Sequence, residues 1–238
     1  MAARPTLMLL PGLTCDAAVW APQVQALADV AQCVVPAWGL RDSLTAMAEQ
    51  VLAEAPSERF ALAGHSMGGR VALEVVRLAP QRVARLALLD TGAHPLAAGD
   101  AGAKERTGRM ALLDIARAQG MRAMGRQWAR GMVHPSRLHT PLFDAILDMQ
   151  ARSSPEQFAA QQQALLKRPD AGPLLPTIGC PTLVLCGQED SWSGPAQHQA
   201  MAAAIPGARL VIVPHCGHMC TMEQPAAVSA ALRDWLLT

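Results

Sequence analysis

The sequence predicts an α/β protein with a mostly parallel sheet, flanked by helices, and a helical insertion. Short apolar segments alternate with segments of helical periodicity along the first 92 residues, and this rhythm resumes near residue 177. Glycine- and proline-containing turns separate the segments, and the connections are short. Such alternation is typical of parallel sheets with helices on both faces.

The composition fits one globular chain with a large core. The chain has 238 residues, of which 51% are hydrophobic and 16% charged. A net charge of +1 without a basic run argues against a nucleic-acid partner. No apolar stretch approaches the ~20 residues that span a bilayer, and residues 7–10 are too short for a signal sequence. We therefore expect a cytoplasmic monomer or small homo-oligomer, with its six cysteines reduced.

The elements of the first part follow in order. Apolar runs predict strands over residues 6–10 and 32–36, from residue 60 to the next turn, and over 83–89. Asp16 is a candidate N-cap for a helix that reaches about Ala28, and Ser43 for the next helix. A third helix begins after Ser66 and ends at Pro80. Leu13, Ser66 and Asp90 each follow a predicted strand, so they are expected to face one crevice.

The rhythm changes between residues 93 and 176, where no strand-like run occurs. Helical patterns cover residues 110–115, 123–128, 143–149 and 158–166. We interpret this stretch as a helical cap inserted into a core formed by residues 1–92 and 177–238, although outer helices of one domain would give a similar pattern. Its arginines form either a solvated face or a contact for a substrate carboxylate; they are Arg106, Arg109, Arg117, Arg122, Arg126 and Arg130.

The last part restores the alternation. Strands are predicted over residues 181–186 and 209–213, and helices over residues 197–205 and 226–237. The loops that follow these two strands contain Asp190 and His218, respectively. Both side chains are therefore expected at the same edge of the sheet as Ser66.

The central motif is Gly64-His65-Ser66-Met67-Gly68, a G-x-S-x-G pattern between a strand and a helix. This context predicts a tight, strained turn that exposes the Ser66 hydroxyl and aims free N–H groups at an anion. A serine hydroxyl needs a histidine to accept its proton and an acid to orient that histidine. Asp190 and His218 come in the expected chain order, while Glu189 and Asp90 remain alternative acids.

Four segments carry a resemblance to a known family. They are Leu10-Pro11-Gly12-Leu13, the motif around Ser66, Gly187-Gln188-Glu189-Asp190, and Gly217-His218 followed by Glu223-Gln224-Pro225. Together they resemble the α/β-hydrolase-fold serine hydrolases, in particular esterase-like members, over nearly the whole chain. The resemblance implies Ser66 as nucleophile, His218 as general base and Asp190 as its partner. It also implies the N–H groups of Leu13 and Met67 as an oxyanion hole. Many relatives have histidine where this chain has Pro11.

The expected activity is hydrolysis of a small carboxylic ester through an acyl-enzyme, without a cofactor. A thioesterase is the nearest alternative, and a lactonase or carbon–carbon bond hydrolase is another, since cap and pocket set the chemistry in this fold. A non-enzymatic alternative is a small-molecule receptor or signalling protein that keeps the triad.

Several further residues are candidates with a less defined role. Trp38, His94 and Trp192 are candidate pocket residues, although packing explains the tryptophans equally well. His65 is expected to pack or form a local hydrogen bond, and His215 to pack or line its loop. The segment His215–Cys220 has the composition of a zinc site, but four ligands from so short a segment would converge poorly. We therefore expect no metal there.

Overall fold

The computed structural model describes residues 4–238 and confirms the predicted α/β fold. Its strands are Thr6–Leu10 (β1), Gln32–Val34 (β2), Phe60–His65 (β3), Val83–Leu89 (β4), Thr182–Gly187 (β5) and Arg209–Val213 (β6). They form one parallel sheet in the order β2-β1-β3-β4-β5-β6. The order reverses between β1 and β3, and ligands of open α/β sheets bind at such a switch, beyond the carboxyl ends of the strands.

Ten α-helices accompany the sheet in the part of the chain that the structure describes. They are Ala21–Ala26 (α1), Leu44–Glu54 (α2), Met67–Leu78 (α3), Gly99–Gln119 (α4), Met121–Trp128 (α5), Pro141–Ala151 (α6), Pro155–Leu166 (α7), Pro195–Ala204 (α8), Cys220–Glu223 (α9) and Pro225–Leu237 (α10). No helix within residues 4–238 combines the length and apolarity needed to cross a bilayer.

Both faces of the sheet are buried, because alternate strand residues point to opposite sides. In β1, Met8 and Leu10 belong to the apolar core that includes Met47 of α2. Leu7 and Leu9 belong to the core on the other face, where α10 packs against α1. The two cores hold the sheet between the helices, and they thereby position the loops that follow the carboxyl ends of the strands.

The helical insertion lies between β4 and β5. Within it, α4 contacts α5 and α7, and α5 contacts α6. Helix α4 is much longer than the predicted helix over residues 110–115, because residues 99–109 are mostly exposed and give little apolar periodicity. The short helix α9 has no counterpart in the sequence-based prediction.

Two predicted elements near the N-terminus were wrong in extent. The helix expected from Asp16 to about Ala28 is a 3₁₀ turn over Ala17–Trp20 followed by α1. Asp16 caps that turn, since its Oδ1 accepts the N–H of Ala18 at 2.8 Å. Helix α1 begins separately, with Pro22 in its first turn, where a missing N–H is tolerated. Strand β2 ends at Val34, before Pro36, which has no N–H for a strand ladder.

Candidate active site

Ser66 lies in the turn that joins β3 to α3. Its backbone has φ 55° and ψ −117°, a strained conformation for a residue with a Cβ. A Cβ added to Gly64 would overlap the carbonyl of Gly68, and one added to Gly68 would overlap the carbonyl of Leu10. Both glycines are therefore required by the close approach of the backbone around Ser66.

A chain of two hydrogen bonds joins Ser66, His218 and Asp190. The Nε2 of His218 lies 2.8 Å from Oγ of Ser66, and its Nδ1 lies 2.8 Å from Oδ2 of Asp190. The three side chains follow β3, β6 and β5, so the fold brings them together from distant parts of the sequence. In this arrangement a neutral imidazole can accept the serine proton while the carboxylate holds the ring.

The surroundings of Asp190 and His218 stabilise their charged forms. Burial alone would raise the pKa of Asp190, but the charge and hydrogen bond of His218, with the N–H groups of Ser193 and Trp192, lower it to about 2. Burial alone would lower the pKa of His218, but the neighbouring Asp190 outweighs it and the pKa is raised. The Oδ1 of Asp190 accepts those N–H groups at 3.0 and 2.8 Å, so the pair can stabilise an imidazolium.

The two alternative acids occupy different positions. Asp90 is fully buried, and its carboxylate accepts the N–H groups of Gly187 and Cys220 at 2.9 and 3.3 Å. Burial and the nearby charge of Asp190 raise the pKa of Asp90 to about 8. Glu189 accepts the N–H of Cys216 at 2.9 Å. Among the hydrogen bonds of residues 4–238, neither carboxylate reaches His218.

The loop after β1 approaches Ser66 at Gly12, the residue before Leu13, since a Cβ added to Gly12 would lie 3.2 Å from Cβ of Ser66. Within residues 4–238, no hydrogen-bond acceptor was found for the N–H groups of Leu13 and Met67. Trp38 donates from Nε1 to the carbonyl of Pro11 at 3.0 Å, and Gln161 of α7 accepts the N–H of Thr14 at 2.8 Å. Both N–H groups thus remain free donors, and the loop that contains Leu13 is held by contacts with the core and with the insertion. The sequence analysis missed Gln161, whose only signal is a polar residue at a buried helix position.

His65 forms a hydrogen bond with the loop that contains His218. Its Nε2 lies 2.7 Å from the carbonyl oxygen of His218, so the expected local hydrogen bond is in fact a contact between residues 153 positions apart. Burial, with the adjacent His218 charge, lowers the pKa of His65 to about 3, so the ring is neutral and donates from Nε2. On the other side, the N–H of His218 donates to the carbonyl of Met132 in the insertion at 2.7 Å.

The candidate pocket residues fall in three different places. Trp192 packs against His218, with ring centroids 4.9 Å apart, and stacks on Trp128 of the insertion at 5.2 Å. Trp38 is buried and lines a cleft of about 530 Å³ beside the Leu13 loop, whose other lining residues include Thr14 and Gln161. His94 is exposed, and its carbonyl accepts a hydrogen bond from Arg70.

The segment His215–Cys220 does not converge on one point. Cys216 and Cys220 are buried, and burial raises the pKa of both thiols above the ordinary range. His218 instead contacts Ser66 and Asp190, while His215 is exposed. All six cysteines are free thiols.

Comparison with known proteins identifies the family. The profile of the Alpha/beta hydrolase family matches residues 7–231, which is nearly the whole chain. The chain therefore belongs to this family of hydrolases, and its relatives include esterases.

Three relatives illustrate the range within the family. A pimeloyl-[acyl-carrier protein] methyl ester esterase from Nitrosomonas europaea is 28% identical, over 90% of this chain and 88% of that protein. A 2-hydroxy-6-oxononadienedioate/2-hydroxy-6-oxononatrienedioate hydrolase from Cupriavidus pinatubonensis is also 28% identical, over 99% and 88%. The structure of a thermophilic esterase from Thermogutta terrifontis, with malate bound, superposes with a TM-score of 0.87 at 30% identity, covering 98% of this chain and 91% of that one.

Proposed function

We propose that this protein hydrolyses a small carboxylic ester, with Ser66 as nucleophile, His218 as general base and Asp190 as the acid that orients it. The observation that carries the proposal is the chain of two 2.8 Å contacts from Ser66 through His218 to Asp190. The esterases among the relatives support the substrate class.

The proposed reaction proceeds in two halves. Ser66 Oγ attacks the ester carbonyl as His218 Nε2 takes its proton, and the N–H groups of Leu13 and Met67 stabilise the tetrahedral oxyanion. His218 then gives the proton to the leaving alcohol, which leaves an acyl group on Ser66. Water, deprotonated by His218, attacks this acyl-enzyme, and the collapse of the second tetrahedral intermediate releases the acid and restores the Ser66 hydroxyl.

The decisive experiment compares wild type with Ser66→Ala and His218→Ala on p-nitrophenyl esters of increasing acyl length. We expect each substitution to reduce kcat by a factor on the order of 10⁴–10⁶, since the residues act as one unit. Ser191→Ala is the matched control, because Ser191 is an exposed serine in the loop of Asp190. The acyl length that is hydrolysed fastest then indicates the length of the acyl-binding pocket.

Other outcomes point to the alternatives. Variants as active as wild type would show that the hydrolysis does not depend on Ser66. An inert wild type that cleaves acyl thioesters would indicate a thioesterase. Negligible turnover of either class, together with thermal stabilisation by a small ester or acid, would indicate a receptor.

One observation favours a substrate that carries a carboxylate. Arg70 lies in the first turn of α3, four residues after Ser66, and its Nη1 donates to the carbonyl of His94 at 2.8 Å. Burial, followed by the charges of Arg168 and Arg109, lowers the pKa of Arg70 to about 9. None of the ion pairs within residues 4–238 includes Arg70. A relative named for dioate substrates is consistent with this class.

The comparison of two esters tests this substrate class. One has an acyl chain that ends in a carboxylate, and the other is an uncharged chain of the same length. We expect Arg70→Gln to lower kcat/KM for the charged ester by tenfold or more, as for a lost charge-assisted hydrogen bond, and to leave the neutral ester little changed. Arg117→Gln, at an exposed position on α4, is the control. An equal loss on both esters would reject a carboxylate contact.

A further inference from the structure

Three side chains with metal-binding groups meet at the surface where the insertion contacts the core. They are His134, from the turn that precedes residues 135–137, Glu189, from the loop after β5, and His215, from the loop after β6. One donor atom from each, a ring nitrogen or a carboxylate oxygen, lies within 4.8 Å of the other two. We propose that His134, Glu189 and His215 form a binding site for one divalent transition-metal ion, with Zn²⁺ as the best fit.

The donor set determines the choice of metal. Two imidazoles and one carboxylate, with a water molecule in the fourth position, match the tetrahedral coordination of Zn²⁺. Mg²⁺ and Ca²⁺ prefer oxygen ligands in larger number, so they fit poorly. Zinc bonds of about 2.0–2.2 Å require donor atoms roughly 3.5 Å apart. This is closer than the 4.8 Å within which the three donor atoms lie in this structure. Since Glu189 and His215 are exposed, side-chain rotation can close this gap.

Neighbouring groups already orient two of the three ligands. Glu189 accepts the N–H of Cys216 through Oε2 at 2.9 Å, which leaves Oε1 for a metal. The Nδ1 of His134 lies 2.8 Å from Oγ of Ser136. Nδ1 also accepts the N–H of Ser136 at 3.2 Å, so a neutral ring in this arrangement has its proton on Nε2. Coordination of a metal by Nε2 would move that proton to Nδ1, from which it can be donated to Oγ of Ser136. Outer hydrogen bonds of this kind fix the orientation of metal ligands in proteins.

Within the cluster, the two imidazoles pack against each other, whereas the carboxylate has no ion pair with either of them among residues 4–238. The imidazoles of His134 and His215 are edge to face, with ring centroids 6.0 Å apart. None of the ion pairs found within residues 4–238 joins either ring to Glu189. His215 also has φ 53°, an uncommon conformation for a residue with a Cβ. A cation between the three groups would supply the missing attraction.

Such an ion would connect the insertion to the two loops of the candidate active site. Glu189 directly precedes Asp190, and His215 comes three residues before His218. His134 follows Met132, whose carbonyl accepts the N–H of His218. The metal would thus restrain the acid and base loops against the insertion without taking part in ester hydrolysis.

Calorimetric titration of metal-free, untagged protein with ZnCl₂ tests the site. We expect one Zn²⁺ per chain, and a Tm raised by roughly 5–10 °C at about 100 times the Kd. His134→Ala, His215→Ala and Glu189→Gln should each weaken binding by tenfold or more. His139→Ala removes an exposed histidine of the same insertion and should bind as wild type. MgCl₂ at the same concentration should not change the Tm.

Each opposite result overturns the site. The site is rejected if wild type does not bind Zn²⁺, or if the three ligand variants bind it with unchanged affinity. It is also rejected if His139→Ala loses as much affinity for Zn²⁺ as the ligand variants do. If His215→Ala does not fold, His215→Gln replaces it in the same titration. Ser66→Ala should bind Zn²⁺ as wild type does, so failure of the metal site and failure of the esterase proposal can be distinguished.

Discussion

In the proposed mechanism, the protonation state of His218 decides when Ser66 can lose its proton. Burial favours the neutral ring, but the charge and hydrogen bond of Asp190 outweigh it and raise the pKa of His218. Only the neutral imidazole accepts a proton, so hydrolysis should increase with pH. The acidic limb of kcat/KM should be centred above the ordinary imidazole value of about 6.5. A limb centred below that value would contradict the role of Asp190.

Replacement of the acid tests the same pair directly. Asp190→Asn removes the charge that raises the pKa of His218 and favours the wrong tautomer, so we expect kcat to fall by about 10⁴. The limb of the remaining activity should move to lower pH. Stopped-flow or extended assays across pH 5–9 (roughly the range in which imidazoles titrate) measure both effects. Asp114→Asn, at an exposed position on α4, should leave rate and limb unchanged.

The pair also links folding stability to pH. The lowered pKa of Asp190 contributes stability above its ordinary value of 3.8, and this is lost as the pH falls towards about 2. The raised pKa of His218 contributes stability below the ordinary value of 6.5, and this is lost as the pH rises through the folded-state value. Most of the stability from this pair is therefore available in mildly acidic solution, where hydrolysis is not yet maximal.

Among the structural elements, helix α7 has a direct contact with the candidate oxyanion loop. The buried side chain of Gln161 accepts the N–H of Thr14, next to Leu13. Thr14 has φ 60°, so the loop is held in a conformation that its residues alone would not favour. A helix of the insertion thus helps to position a loop of the core.

Gln161→Leu tests this coupling. The substitution keeps the volume but leaves the Thr14 N–H without an acceptor, which costs about 1–3 kcal/mol when no water replaces it. Because the Leu13 N–H shifts with the loop, we expect kcat to fall about tenfold or more with little change in KM. Steady-state kinetics on one p-nitrophenyl ester suffices. Gln163→Leu, on the same helix but without a side-chain hydrogen bond found within residues 4–238, is the control. An equal fall of kcat in Gln161→Leu and Gln163→Leu would mean that the activity depends on the helix as a whole and not on the contact of Gln161 with Thr14.

The sequence predicted the elements with strong local signals. Strands β1, β4 and β6 have the predicted bounds, because largely apolar runs bounded by turn residues are a strong local signal for strands. The helix begun by Ser43 was also predicted, and its Oγ accepts the N–H of Ala46 at 3.1 Å. The full length of α4 was missed, since its exposed first half has no apolar periodicity. Contacts such as that of Gln161 depend on three-dimensional packing, for which a single sequence contains no local signal.

For the molecule as a whole, the important boundary is the one between the insertion and the core. Glu223, only 3% exposed, bridges it. Its Oε2 accepts the N–H of His134 at 2.7 Å, and its Oε1 accepts those of Gly217 and Met219 at 3.0 and 3.2 Å. One carboxylate therefore holds the insertion and both neighbours of His218 in a fixed relation.

Loss of this bridge should reduce both stability and activity. Glu223→Ala leaves three N–H groups without their acceptor, so we expect a loss of at least about 2 kcal/mol and a Tm lower by about 4–8 °C in metal-free buffer. Activity at a temperature well below the Tm should also fall, because the His218 loop is no longer fixed. Differential scanning calorimetry and ester hydrolysis measure the two effects.

The contrast with other carboxylates decides how this result is interpreted. Glu156→Ala, at an exposed position on α7, should change stability by no more than about 0.5 kcal/mol. Glu223→Gln keeps one acceptor oxygen and should fall between the two. If Glu223→Ala instead melts at the wild-type temperature, water satisfies the three N–H groups, and the insertion is held mainly by the contacts of Met132 and Gln161. In that case the candidate site would tolerate movement of the turn around His134, and zinc binding would become the stronger restraint on it.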